Sequence, residues 1–169
     1  SVNTAVGMID YANHVDFSHV PAKDMLAEAL GMDEIYIGND ANCAALGEAV
    51  AGAGKGKKSF VAITLGTGVG SGIVIDGKIV VGCNYAAGEC GHMVINFDGE
   101  QCNCGRRGCW ESYASATALI AQTKEAMKNN VDSIMWDLVE DNIGRVSGRT
   151  AFDAMRKGDA TAKAVVDNY

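Results

Sequence analysis

Three cysteines fall within the eight residues Cys102-Asn103-Cys104-Gly105-Arg106-Arg107-Gly108-Cys109. No other stretch restricts the local fold so strongly. Cys102 and Cys104 are too close in sequence to meet disulfide geometry easily. Cys109 lies five residues further on, across Gly105 and Gly108. Those glycines let the backbone turn so that three thiolates converge. A closed tetrahedral zinc site takes four such ligands. His92 is the leading candidate for the fourth, and Cys90 competes with it. The plainer alternative is a set of buried or oxidised thiols, but core cysteines need no glycine turns around them. The spacing is not the paired pattern of a zinc finger, so base reading does not follow from it.

Composition narrows the surroundings. A hydrophobic fraction of 48% over 169 residues is enough to bury a core. A net charge of −7 argues against binding nucleic acid or anionic membrane through this region. The short basic run Lys55-Gly56-Lys57-Lys58 reads as a solvated loop. No apolar run reaches the roughly 18–20 residues that span a bilayer, and the first residues lack the charged and apolar regions of a signal peptide. The cysteines are clustered rather than spread as in a disulfide scaffold, which points to a reducing, cytoplasmic setting.

The clearest secondary structure is the stretch Ser59-Phe-Val-Ala-Ile-Thr-Leu-Gly-Thr-Gly-Val-Gly-Ser-Gly-Ile-Val-Ile-Asp-Gly. It predicts a strand over Phe60 to Leu65, a glycine turn over Gly66 to Gly70 and a strand over Ile73 to Ile75. An Asp76-Gly77 hairpin turn and a third strand over Ile79 to Val81 follow. Amides in such a glycine turn can cradle phosphate, and the Thr67 hydroxyl can donate to a phosphate oxygen. A plain hairpin turn is the competing reading. Because a strand follows the glycines, the dinucleotide fingerprint is excluded.

Upstream, Ser18 is a candidate cap for a helix carrying Met25, Leu26 and Leu30. Ile35 to Ile37 reads as a short strand. An Ala-rich helix capped by Asn39 or Asp40 then runs toward Gly52. A carboxylate at such a strand-to-helix turn serves equally as a cap or as a general base. Downstream, 82–110 reads as loop, with Glu89 and His92 set between Gly88 and Gly91. Ser112 to Met127 is expected to be helical with Ala114, Leu119, Ile120 and Ala121 buried. Further helices are expected over Val131 to Glu140, over Thr150 to Arg156 and from Asp159 onward.

Taken in order, Asn39-Asp40-Ala41-Asn42, the Leu65-to-Gly72 turn, Glu89-Cys90-Gly91-His92 and Cys102 through Glu111 resemble the ROK family of sugar kinases and repressors. The resemblance covers nearly the whole chain and is strongest from Gly38 to Ser115. It implies an α/β actin-like ATPase fold of the hexokinase superfamily, present in part. Residues 1–57 would belong to the small lobe, and residues 58–169, with the zinc loop, to the large one. It implies Asp40 as general base and Asn39, Glu89, His92 and Glu111 as ligands of sugar hydroxyls. Gly66, Thr67, Gly68 and Gly70 would bind ATP phosphates, bridged by Mg²⁺. His92, Cys102, Cys104 and Cys109 would bind a structural Zn²⁺, with one imidazole nitrogen on metal and the other on sugar. The family is often dimeric.

The family's Asp-x-Gly-Gly-Thr phosphate loop and its adenosine-side glycine motif do not occur here. The chain is therefore expected to be a fragment with little kinase activity alone. Glucose is the leading substrate, with N-acetylmannosamine, fructose and allose as alternatives. A sugar-sensing domain of a ROK repressor is the second reading. A stand-alone zinc-stabilised module is the third, and it leaves Asp40, Glu89 and His92 unexplained.

Overall fold

The computed structural model describes residues 2–12 and 16–169. The chain forms two compact units, Ser1–Thr64 with Gly70–Glu89, and Leu65–Val69 with Cys90–Tyr169.

The first unit opens with an antiparallel sheet of β1 (Val2–Asn3), β2 (Met8–Tyr11) and β3 (Ser18–Val20). Sequence reading missed all three strands, because they are short and lack a run of alternation long enough to stand out. Ser18 lies in β3 and does not cap. Helix α1 (Ala22–Leu30) instead starts after Pro21 with no side-chain cap. Proline suits a helix start because its missing N–H is not needed there. Gly31 ends α1 in the left-handed conformation, φ 63°, and its N–H reaches Ala27 O.

Ile35 to Ile37 is irregular rather than a strand. Alternating apolar side chains do not hold a strand without a neighbour to complete its ladder, and no described strand pairs with it. Helix α2 (Asp40–Ala51) follows, capped by Asn39, whose Oδ1 accepts from Asn42 N at 3.0 Å.

The second sheet has the order β4-β5-β6, with β4 over Phe60–Leu65, β5 over Val69–Ile75 and β6 over Lys78–Ile79. Asp76 and Gly77 turn with φ 49° and 75°, the paired positive values of a type I′ hairpin. The glycine turn is shorter than its sequence suggests, because Val69 and Gly70 already belong to β5. The third strand likewise sits earlier than Ile79 to Val81, since the tight turn starts pairing at Lys78.

The glycines of β5 serve packing. A Cβ on Gly72 would stand 2.4 Å from Ala45 Cβ and 2.8 Å from Ala41 O. A Cβ on Gly70 would stand 3.0 Å from Ala41 Cβ. The small residues of α2 therefore lie directly on the backbone of β5. Gly72→Val in the full-length protein is expected to lower the melting temperature by roughly 3–10 °C, through overpacking of about 1–3 kcal/mol. A thermal melt checks this, and an unchanged melting temperature would contradict the close packing.

The second unit is mostly helical. The segment over Ser112 to Met127 divides into α3 (Glu111–Ala114) and α4 (Ala116–Asn129). Ser115 leaves the helical conformation and caps α4 by accepting from Ala118 N. Leu119 is buried, Ala114 and Ile120 are half-buried, and Ala121 faces solvent. The break at Ser115 sets α4's facing separately from that of α3. The core gathers Leu119, Met127, Met135, Val139, Ala151, Ala154, Ala162 and Val165. They come from α4, α5 (Met135–Leu138), α6 (Thr150–Arg156), α7 (Ala160–Asn168) and the loop beyond α5.

Asp159 caps α7 by accepting from Ala162 N at 2.7 Å, and it also accepts from Ser133 Oγ and Ile134 N. Burial alone would raise its pKa, but these hydrogen bonds outweigh that and hold it below the usual carboxylate range. The sign follows from linkage: this cap stabilises the unit above the ordinary carboxylate pKa and is lost as pH falls through the depressed one. No helix among the described residues is long and apolar enough to cross a membrane.

Candidate functional site

The first unit places Asn39 and Asp40 at the start of α2. Asn39 is spent on capping, as its type and position predict. Asp40 is exposed, and its Oδ1 accepts from Ala41 N at 2.9 Å. Among the described residues it enters no ion pair. Glu89 is also exposed and follows Gly88, which has φ +86°. A Cβ on Gly88 would meet Ser71 O at 3.0 Å and Asn42 Oδ1 at 3.9 Å, and Ser71 Oγ donates to Gly88 O. The chain entering Glu89 is thus fixed against β5 and the first turn of α2.

Sequence reading missed Asn42 and Ser71. Asn42 is buried, and its Oδ1 has no partner among the described residues. The available signal was a polar residue on the buried face of an Ala-rich helix. A groove of about 560 Å³ in this unit runs along α2 and β4, past Glu48, Lys57, Phe60 and Ile63, and includes none of these site residues.

The second unit holds the cysteine cluster. His92 ends a 3₁₀ turn over Cys90–His92. The loop beyond it doubles back through bridges between Val94 and Cys109 and between Gln101 and Arg107. Gly105 and Gly108 have φ +87° and +70°, and a Cβ on Gly108 would strike Asn96 O at 1.5 Å. Here the glycines are required by backbone shape and by close approach.

The result brings one ligand atom each from His92, Cys102, Cys104 and Cys109 within 4.8 Å of one another. Cys90 is not in the group. Cys104 Sγ is 3.6 Å from Cys109 Sγ, and Cys102 Sγ is 3.6 Å from His92 Nδ1. A tetrahedral zinc with Zn–S bonds of about 2.3 Å sets neighbouring sulfurs about 3.8 Å apart. The donor set and its spacing fit that metal, with Cys102 and Cys109 buried and no outside ligand needed.

The thiols are strongly unequal. At Cys104, burial pushes the pKa up, but hydrogen bonds from the Arg106 backbone and guanidinium and from the other two cysteines bring it down to about 6. At Cys109, burial and then its bonds and charge repulsion with Cys104 and Cys102 push it up to about 12. Thiols crowded this closely suit a cation at their centre, which offsets the repulsion between their ionised forms.

The glycine turn lies in the same unit, over Gly66 to Gly68. Gly66 N donates to Gly68 O at 2.9 Å. Ala116 N donates to Gly66 O, and Thr117 Oγ1 donates to Thr67 O, both at 2.8 Å. Glu111 Oε2 accepts from Val69 N at 2.8 Å and would stand 2.2 Å from a Cβ on Gly68. A Cβ on Gly91 would stand 2.1 Å from Val69 O. Val69 is therefore gripped from both flanks of the cysteine loop, by Gly91 before His92 and by Glu111 after Cys109. Glu111 Oε2 is thereby committed to this turn. Sequence reading did not find Thr117 or this use of Glu111, because both are contacts distant in sequence.

The pattern of the ROK family matches residues 1–169. The glucokinase of Thermotoga maritima is 38% identical over 99% of this chain and 52% of its own length. The xylose repressor of Bacillus subtilis is 43% identical over 59% of this chain and 27% of its own length. A ROK family glucokinase from Streptomyces griseus, solved in complex with glucose and AMPPNP, superposes with a TM-score of 0.87. It is 35% identical, over 97% of this chain and 53% of that one. The chain spans about half the length of the glucokinases it matches. The fold is the α/β actin-like ATPase fold of these relatives, present in part.

Proposed function

The chain belongs to the ROK family, and we propose that the full-length protein transfers the γ-phosphoryl group of MgATP to a hexose hydroxyl, with glucose the leading substrate. One observation carries this reading: Asp40 stands at the exposed start of α2, and among the described residues its carboxylate is engaged by its neighbour's amide alone. A charge so placed has no ion-pair partner among the described residues and is available to a substrate.

In this mechanism Asp40 takes the proton of the attacking hydroxyl. The new O–P bond forms as the bond to the β-phosphate oxygen breaks, and MgADP leaves with the electron pair. Asn39, Glu89, His92 and Glu111 hold sugar hydroxyls. Gly66, Thr67, Gly68 and Gly70 line the phosphate side. With its Nδ1 facing Cys102, His92 keeps Nε2 for a hydroxyl. His92, Cys102, Cys104 and Cys109 would hold zinc, which would fix the loop rather than activate a ligand. The reading extends to a cytoplasmic protein acting as a homodimer, with residues 1–57 in the small lobe and 58–169 in the large one.

A panel of hexoses with ATP, assayed on the full-length protein by coupled ADP release, is expected to show glucose turnover. N-acetylmannosamine or fructose as the preferred substrate would move the assignment within the family. No turnover on any sugar would remove it. The second reading, a sugar-sensing repressor domain, is favoured by the 43% identity to a xylose repressor over 59% of this chain. It predicts sugar binding without turnover.

A further inference from the structure

Two adjacent peptide groups of the glycine turn are held by their carbonyls to the first turn of α4. Gly66 O accepts from Ala116 N and Thr67 O accepts from Thr117 Oγ1. A trans peptide points its C=O and the following N–H in opposite directions. Fixing the Gly66 and Thr67 carbonyls toward α4 therefore turns the N–H groups of Thr67 and Gly68 away from it. Neither amide donates to another group among the described residues. Successive N–H groups aimed the same way form an anion-binding concavity.

The two anchors differ in kind. The Ala116 amide is fixed by the helix it opens, with Ser115 capping α4 from the preceding position. The Thr117 anchor is a single hydroxyl on an exposed residue. Gly68 has no side chain to resist rotation of the Thr67–Gly68 peptide, and its neighbour Glu111 leaves no room for one. Among the described residues Thr117 is the one group that holds the Thr67–Gly68 peptide itself, while the closure from Gly66 N to Gly68 O fixes the next peptide along.

We infer that Thr117 is a positioning residue for nucleotide phosphate: its hydroxyl holds the Thr67–Gly68 peptide so that the Gly68 N–H faces the phosphate. The inference rests on the ATP-dependent reading above and adds to it a residue outside the glycine motif. Losing the hydroxyl lets the peptide rotate, so the bound phosphate loses one aligned donor while the sugar side is untouched.

The test is Thr117→Val in the full-length protein, with Thr117→Ser alongside. In the valine variant, KM for ATP is expected to rise about tenfold, the scale of one lost hydrogen bond to a charged group. KM for the sugar should stay within about twofold, and the serine variant should restore KM for ATP. Thr117→Ala is read the same way should valine disturb the helix start. AMPPNP affinity, measured by calorimetry on the same samples, separates this inference from the kinase reading. A wild type that turns over no sugar, yet binds AMPPNP about tenfold tighter than the valine variant, keeps the inference and removes the kinase reading. A wild-type KM for ATP in a folded, active Thr117→Val overturns the inference. So does an equal rise in both KM values, which would mark a general loosening.

Discussion

Asp40→Asn in the full-length protein is expected to lower kcat by about 10²–10⁴-fold, the span that one positioned base contributes. Sugar affinity should change little. The substitution is well matched to the site. Asparagine keeps an oxygen to accept from Ala41 N, as Asp40 Oδ1 does at 2.9 Å, and it suits a helix start. What it removes is the charge and the basic lone pair. The structural cost is confined to the loss of a favourable charge at the helix N-terminus, about 0.3–1 kcal/mol. A melting temperature within a few degrees of wild type should accompany the lost turnover. Steady-state kinetics with sugar titrated by calorimetry decide the matter. Unchanged kcat would remove Asp40 from the proton transfer, whereas lost sugar binding would make it a binding group instead.

The parts of this molecule legible in sequence are those governed by local geometry. The Asp76-Gly77 hairpin, the α2 cap at Asn39 and the α7 cap at Asp159 each follow from one or two residues acting on their own backbone. The cysteine loop was legible for the same reason, since its glycines and thiols lie within a short span. Contacts made across the chain were not legible. Nothing local marks Glu111 as the acceptor for Val69 N, forty-two residues away, or Thr117 as the donor to Thr67 O, fifty residues away. Gly70 shows how a motif can hide a second cause. It was read from the phosphate motif, yet its missing Cβ also admits Ala41 of α2. Ile35 to Ile37 shows the converse error, where local alternation suggested a strand that no neighbour among the described residues completes.

These long-range contacts make the cysteine loop more than a local staple. Met93 O accepts from Trp110 N, and Gly108 O accepts from Ile95 N, so the two sides of the loop hold each other beside the ligands. Its two ends then pass directly to Val69 through Gly91 and Glu111. Any change that lets the ligands separate frees both grips on the residue that closes the glycine turn. A metal bound by these ligands would in this way govern the geometry of the glycine turn.

Removal of that metal is accordingly expected to have the second large effect. Elemental analysis of the full-length protein should find about one zinc per chain. Chelation, or Cys109→Ser, should lower the melting temperature by roughly 10 °C or more, because the ligands form their site only in the folded loop and binding energy is folding energy. Cys109 is the most informative ligand to replace. It is fully buried, and its thiol is pushed up to about 12 without a cation. The buried serine hydroxyl would be a much poorer zinc ligand. Zinc affinity should also fall as pH is lowered, since each thiol must lose its proton to bind. Hydrogen exchange should localise the loosening to 90–111 first and to the amide of Val69 with it, because Glu111 holds that amide. Stoichiometric disulfides among Cys102, Cys104 and Cys109 with no bound metal would overturn the zinc assignment. Fast exchange confined to the loop, with Val69 still protected, would break the link from the loop to the glycine turn while leaving the zinc in place.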